Sequence, residues 1–559
     1  MRWFRLAGPH AKRIAVNRIV LTRIAVNRID PDRRILDRGA HAGLRLSPLV
    51  PFAKPQDPMP FFRLSLLVAA VCFGGSRAER CDADNVPPPN IVLIFMDDMG
   101  YADINPFGDN PYRTPHLNRL AAEGRTFTDF VVSSAVCSAS RAALMTGCYH
   151  RRVGISGALG PKSNIGLNPD EVTIAEICKS KGYATACFGK WHLGHDPKFL
   201  PISQGFDRFY GIPYSNDMWP LHPASRAKRA KDPNAPINWP ALPMIEADAS
   251  GVRVVIEDVL PDDQRQMTGE FTRRASEFIR DHADTPFFVY LPHPMVHVPL
   301  YCSDEFAGKS GAGLFGDVVM EIDWSVGQIV EAIESIGAER NTLIVFTSDN
   351  GPWLSYGTHA GSAGPLREGK GTMFEGGYRE PTIMRWLGTI PPGTKTDTLC
   401  STIDMLPTIA NLIGAELPKR KIDGKDIASV MRGESETSPH ESFAGYYGGG
   451  QLQMIRDDRF KLVFPHRYRT LKGHPGGTAG LPIPYQSAEA ALALYDLQND
   501  VGETTDVAES HPEVVERLRK AAEQIRGELG DKLTDAKASA AREPGRIGDG
   551  DERLPLLWR

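Results

Sequence analysis

The chain alternates short, unbroken apolar runs with longer stretches of helical spacing. Ile91-Val92-Leu93-Ile94-Phe95-Met96 contains no polar position, as expected of a strand buried on both faces of a parallel sheet. Comparable runs occupy residues 184–188, 287–291 and 343–347. Between them, residues 172–181, 269–281 and 318–336 carry helical periodicity, and Thr114-Pro115 opens a further helix that Gly124 stops after Glu123. Strands alternating with helices predict an α/β fold with a large, mainly parallel sheet sandwiched by helices. From about residue 440 the pattern changes. Residues 451–455 and 460–464 flank Arg456-Asp457-Asp458-Arg459 as a β-hairpin, 493–497 reads as another strand, and 512–529 as an amphipathic helix. This predicts a smaller C-terminal α+β domain containing an antiparallel sheet. The expected division is a catalytic domain over 88–435, the smaller domain over 436–530, and a polar, poorly ordered tail over 531–559.

Composition is that of an ordinary globular protein, at 42% hydrophobic and 24% charged residues. Charge is distributed unevenly. Residues 1–58 hold 12 Lys and Arg against 4 Asp, a net +8, so the remainder carries −12 of the total −4. No global basic field attracts nucleic acid, and any anion must be held by a local site. The basic extension repeats Arg-Ile-Ala-Val-Asn-Arg-Ile at 13–19 and 23–29 and reads as unstructured or as a misassigned start. Met59 begins a second N-terminal pattern. Arg63, the apolar stretch 64–75 and Ser76-Arg77-Ala78 match a signal peptide over 59–78, too short to span a bilayer where about 20 residues are needed. Export to the periplasm or medium, with no stable membrane anchor, is therefore expected if translation starts at Met59. The eight cysteines show no C-x-x-C zinc spacing, and a disulfide or two is compatible with export.

Ligands in parallel α/β sheets bind beyond the carboxyl ends of the strands. Here the four runs end in Asp97-Asp98, in Gly189-Lys190-Trp191-His192, before His293 and His297, and in Asp349-Asn350. A lone Asp-Asp is an ordinary solvated strand end, but four such ends aimed at one edge are not. Asp97, Asp98, Asp349 and Asn350 offer oxygen alone, which suits Ca²⁺ or Mg²⁺ rather than zinc. Lys190, His192, His297, Arg141 and Lys370 add cations beside that cluster, an arrangement for a sulfate or phosphate ester. Cys137 precedes Ser138-Ala139-Ser140-Arg141 and the helix-forming Ala142 to Met145, placing it at a helix N-terminus that favours negative charge. A lone cysteine is commonly a buried hydrophobe, and a thiolate nucleophile is the other bare-sequence reading.

Cys137-Ser138-Ala139-Ser140-Arg141, continuing into Leu144-Met145-Thr146-Gly147, resembles the signature of formylglycine-dependent sulfatases in the alkaline phosphatase superfamily. Gly182 to His192 resembles that family's second motif, Ile91 to Gly100 and Ser348 to Gly351 its metal-binding strands, and Gly369 to Gly377 its late lysine segment. Gly211 to Ser215 and His297-Val298-Pro299 point to the arylsulfatase A-like branch. The resemblance spans roughly residues 88–530. It implies that a maturation enzyme oxidises Cys137 to formylglycine. One hydroxyl of the hydrated aldehyde attacks sulfur and expels the alcohol, and loss of the second hydroxyl's proton then ejects sulfate.

By the same resemblance Asp97, Asp98, Asp349 and Asn350 bind Ca²⁺, with Mg²⁺ an alternative, and Arg141 holds the formylglycine. His192 is the base for elimination. Lys190 acts at the reacting sulfate, and His297 and Lys370 bind its oxygens. The implied substrate is a sulfated small molecule or saccharide. Two departures stand out: Ala139 replaces the commoner proline, and Cys148 and His150 replace an arginine and a proline, which is expected to weaken support around the nucleophile. A phosphomonoesterase or phosphodiesterase of the same superfamily, and an inactive carbohydrate-binding relative, are the competing readings.

Overall fold

The computed structural model describes residues 88–558. The basic extension and the signal-peptide pattern lie outside the described residues. An eleven-stranded sheet forms the body. Its centre is five parallel strands in the order Thr342–Ser348, Asn90–Met96, Phe287–Pro292, Ala184–Lys190 and Arg208–Ile212. Four of these are the apolar runs of the sequence; the fifth was not anticipated. Alternation along Asn90–Met96 supplies two cores at once. Val92, Ile94 and Met96 pack with the helices Pro261–Asp281 and Gly313–Ser335, while Ile91, Leu93 and Phe95 pack with Cys137–Thr146, Ile174–Ser180 and Met405–Leu412. The sheet is thus covered by helices on both faces.

Antiparallel strands extend it. Arg379–Arg385 pairs with Thr342–Ser348 and with Arg125–Val131 on one side, and the hairpin Met244–Asp248/Gly251–Ile256 continues from Arg208–Ile212 on the other. The helix Pro115–Glu123 begins and ends where expected, but Thr114 does not cap it. The Thr114 hydroxyl turns to Asn105, and Asp323 of Gly313–Ser335 accepts from the N–H groups of His116 and Leu117 at 3.2 and 2.8 Å. The helix expected at 269–281 starts eight residues earlier, at Pro261.

A separate four-stranded antiparallel sheet follows, in the order Phe443–Tyr447, Gln451–Arg456, Phe460–Val463 and Ala493–Asp496, with the helix Pro512–Leu529 laying Val514, Leu518 and Ala522 against it. It is tied to the main sheet by buried charge. Arg456 donates to both oxygens of Asp129 on Arg125–Val131, and Lys461 contacts Glu375 at 3.1 Å and Glu503 at 2.7 Å. Beyond Leu529 the expected loose tail is instead strapped across the body. Gly545–Arg546 pairs with Ile165–Gly166, the Arg542 amide donates to the Arg152 carbonyl, and Leu554 is buried with its amide on Asp196. Polar composition misled there because those polar groups find partners on the body. No disulfide joins the six described cysteines, all of them buried.

Candidate active site

The carboxyl ends of the parallel strands converge as the strand-end rule requires. Asn90–Met96 delivers Asp97 and Asp98, Thr342–Ser348 delivers Asp349 and Asn350, Ala184–Lys190 ends on Lys190 two residues before His192, and Phe287–Pro292 leads to His297. Cys137 is the first residue of the helix Cys137–Thr146, whose next turn carries Arg141. All ten expected site residues are buried, and contacts link eight of them around Cys137.

Arg141 is the hub. Its Nε and Nη2 donate to Asp349 Oδ2 at 3.0 and 2.7 Å, Nη2 lies 3.4 Å from Asp97 Oδ1, and Nη1 donates to the Lys190 carbonyl at 3.2 Å. Lys190 donates to Asp97 Oδ2 and, at 3.1 Å, to Ser215 Oγ. Lys370 Nζ lies 2.6 Å from Asp98 Oδ1 and 3.8 Å from Cys137 Sγ. His297 Nε2 is 3.5 Å from Asp98 Oδ2, and Asn350 Nδ2 donates to Asp98 Oδ1 at 2.8 Å.

These contacts leave three buried oxygens without a hydrogen bond: Asp97 Oδ1 and Asp98 Oδ2, which have only the longer contacts to Arg141 and His297, and Asn350 Oδ1. Buried polar atoms are normally satisfied, so a cluster of orphans calls for a missing partner. Carboxylate oxygens of Asp97, Asp98 and Asp349 lie within 4.8 Å of one another, and the donor set is all oxygen. That chemistry fits a hard divalent cation. Crowding without one splits the titrations. Burial and Asp97 push Asp349 up to about 7, whereas Lys190, His297 and Arg141 overcome burial and hold Asp97 well below the carboxylate range.

Burial pushes the Cys137 thiol up to about 11 against the pull of Lys190 and Lys370, so the encoded residue is a neutral thiol. That disfavours the thiolate reading. His192 stands in the left-handed backbone region, φ 62°. Its Nε2 faces the Leu159 carbonyl at 2.8 Å; a carbonyl only accepts, so Nε2 carries the hydrogen and Nδ1 the lone pair. Nδ1 has no protein partner. Burial, with Lys190 and Arg141 adding to it, holds the ring well below the usual histidine range and therefore neutral.

Other residues that the sequence singles out lie elsewhere. His293 is a packing residue bonded to Ser325 Oγ at 3.0 Å, and the Thr146 hydroxyl bonds its own helix at the Ala142 carbonyl. His222 accepts from the Ala224 amide at the start of Pro223–Lys231. Three further residues belong to the site. Ser215 receives Lys190; Trp353 lies under Lys370 at 4.6 Å and beside His297 at 5.5 Å; and Glu380 is buried with neither oxygen partnered, pushed well above its usual range by burial and by Asp349 and Asp98. Ser215 falls within the segment Gly211 to Ser215 that the sequence already marks, whereas Trp353 and Glu380 had no signal beyond standing just past Gly351 and Gly377. The departure at Cys148 is met in space: Arg542 of the tail places a guanidinium 3.3 Å from Cys148 Sγ while pairing with Glu171 at 2.7 Å.

Comparison with known proteins agrees with this geometry. The family model Sulfatase matches residues 89–415, and the model for the C-terminal region of N-sulphoglucosamine sulphohydrolase matches 369–474. Arylsulfatase A of Homo sapiens is 38% identical over 81% of the chain and 91% of its own length. Among solved structures, the PsFucS1 sulfatase from Pseudoalteromonas sp. is 25% identical with a TM-score of 0.72, over 82% of this chain and 92% of that one. Ps i-CgsB, solved in complex with k-i-k-neocarrahexaose, is 26% identical with a TM-score of 0.64, over 83% and 95%. A family match over more than half of the chain, with a relative 38% identical over 81% of it, establishes that this chain belongs to the sulfatase family, on its arylsulfatase A-like branch, and is a sulfuric ester hydrolase.

Proposed function

We propose that the chain hydrolyses the sulfate ester of a saccharide, using formylglycine made from Cys137 and a divalent cation held by Asp97, Asp98, Asp349 and Asn350. The observation that carries this reading is the trio of unpartnered oxygens on Asp97, Asp98 and Asn350 beside a buried Cys137 ringed by Arg141, Lys190, Lys370 and His297. Calcium bound there supplies charge stabilisation to a sulfate oxygen and lowers the cost of ionising a nearby hydroxyl. Conversion of Cys137 supplies an aldehyde whose hydrate carries a nucleophilic hydroxyl.

The protein's own groups do the rest. Arg141 fixes the Asp349 and Asp97 carboxylates and, through the Lys190 carbonyl, locks the helix of Cys137 to its strand. Lys370 and Lys190 place positive charge, and His297 its ring, around the sulfate oxygens, and one of the three protonates the departing alcohol. His192, neutral with a free Nδ1, is set to take the proton whose loss releases sulfate. The saccharide assignment is supported by the neocarrahexaose complex of Ps i-CgsB and by the match to an N-sulphoglucosamine sulphohydrolase C-terminal region. The Met59 signal-peptide pattern supports export, and no described helix is long and apolar enough to cross a membrane.

Peptide mass spectrometry across Cys137 in active protein tests the conversion: sulfur and two hydrogens should be lost and one oxygen gained. Full activity with an intact thiol, or in Cys137→Ala, refutes the nucleophile. Strong preference for an aryl phosphate over an aryl sulfate refutes the assigned chemistry.

A further inference from the structure

A groove of about 400 Å³ opens beside Lys370, in the range of small-molecule sites, and its walls include Gly371, Tyr447, Gln453, Tyr485, Gln486 and Ser487. We infer that this groove is a subsite for the sugar ring joined to the sulfated one, so that the substrate is a sulfated saccharide of at least two rings. The inference rests on the saccharide reading above and adds a location and a length.

Two walls of the groove adjoin the reacting centre. Gly371 follows Lys370, whose Nζ touches Cys137 Sγ, and Tyr447 packs directly on Val136, Cys137 and Ala139. A molecule with its sulfate at Cys137 therefore presents its neighbouring group to these walls. The walls are held in place. Arg469 donates to the Lys370 carbonyl and lies 4.6 Å over the Tyr485 ring, and the Tyr485 hydroxyl accepts from the Ser355 amide at 3.2 Å. Gly371 has φ +83°, and a Cβ there would lie 2.4 Å from the Arg469 guanidinium carbon, so only glycine admits this packing.

One side chain asks for a ligand. Gln453 is only 2% exposed; its Nε2 donates to Gln451 Oε1 at 2.9 Å, while its own Oε1 is buried without a protein partner. An unmatched buried carbonyl oxygen requires a donor, and a sugar hydroxyl is one. An apolar fused-ring leaving group would leave that oxygen unpaired. The tyrosine faces suit the apolar face of a pyranose, and the glutamines suit its hydroxyl rim.

The test is calorimetric binding of sulfated mono-, di- and tetrasaccharides prepared from chondroitin sulfate and carrageenan, scored on the better-bound series. The full chain should bind the disaccharide at least tenfold more tightly than the monosaccharide. Gln453→Ala, and Ser487→Trp at an exposed position of the rim, should bring that ratio to within twofold of one, with an unchanged thermal midpoint for the latter. A wild-type ratio near one, or a ratio unaffected by both variants, overturns the subsite. Turnover of an aryl sulfate by the same preparation separates the two levels. An active enzyme with no length preference refutes the groove alone; a protein that neither turns over aryl sulfate nor binds any of the saccharides refutes the saccharide reading beneath it.

Discussion

Replacing Lys370 by methionine is expected to move cation and sulfate affinity in opposite directions. With Asp349 counted as the carboxylate that a bound cation would hold ionised, Asp97, Asp98 and Asp349 face Arg141, Lys190 and Lys370, all buried, and these six charges sum to zero. A divalent ion brings this to +2, and a sulfate monoester then returns it to +1. Lys370 sits 2.6 Å from Asp98 Oδ1 and competes with a cation for that carboxylate. Asp98 in turn helps to keep the lysine charged against burial. Methionine keeps the stem and leaves the protein groups at −1. Two unit charges 4 Å apart interact by about 4 kcal/mol at an effective dielectric of 20. Asp98 can lean on Asn350 and His297 instead, which offsets part of this. The remaining gain for calcium is about 1.4–3 kcal/mol, roughly 10- to 150-fold. Sulfate loses a charge-assisted donor worth about 1.5–3 kcal/mol and should bind roughly 10- to 150-fold more weakly. Calcium titration of EDTA-stripped protein, with and without saturating sulfate, measures both. In the wild type, linkage requires sulfate to tighten calcium by the factor with which calcium tightens sulfate. Unchanged or weaker calcium binding in Lys370→Met refutes the charge balance. Calcium affinity indifferent to sulfate in the wild type refutes a shared site.

Arg456→Met should cost about 3–5 kcal/mol in urea denaturation, because it strands the Asp129 carboxylate in the junction between the sheets; adding Asp129→Leu should recover most of the loss. Arg542→Ala should cost about 1.5–3 kcal/mol by leaving the buried Glu171 with only the longer contact to Arg420 at 3.5 Å, and Cys148→Arg in that background should restore at least half, read by the same denaturation. Burial raises Glu321 to about 7 from 4.5. The folded state thus retains a proton that the unfolded chain has released, so stability falls as pH rises from 4.5 to 7, by about 3 kcal/mol from this group. Glu321→Gln should flatten that part of the stability profile; an identical slope in the variant would discount the shift.

What was legible in the sequence follows from how each segment meets its surroundings. Asn90–Met96, Phe287–Pro292 and Thr342–Ser348 are buried on both faces, so their code is an unbroken apolar run. Arg125–Val131 and Arg379–Arg385 are equally buried but carry Arg125, Asp129, Arg379, Glu380 and Arg385. Arg125, Asp129 and Arg385 find their partners Glu436, Arg456 and Glu123 far along the chain, so these strands read as surface. The site divides likewise. The strand-end residues were readable because the sheet rule aims them at one edge. Trp353 and Arg469 were not, because they come from segments with no periodic signal, and Gln453, although on the expected hairpin strand at 451–455, carried nothing to mark it as part of a site.

The adjacent pair Asp97-Asp98 explains a backbone feature that no pattern of apolar and polar residues would reveal. In extended chain, successive side chains point to opposite faces, so two consecutive aspartates would diverge. Asp98 instead adopts φ 61°, the left-handed region that a non-glycine residue enters at a cost of about 1–3 kcal/mol. The turn lets both carboxylates reach one cluster, where Asp97 meets Lys190 and Arg141 while Asp98 meets Lys370, Asn350 and His297. Those ion pairs, absent from the unfolded chain, offset the strain. Glycine at this position would relieve the backbone and abolish the second carboxylate, which is why the conformational cost is retained at the strand end that the proposed cation requires.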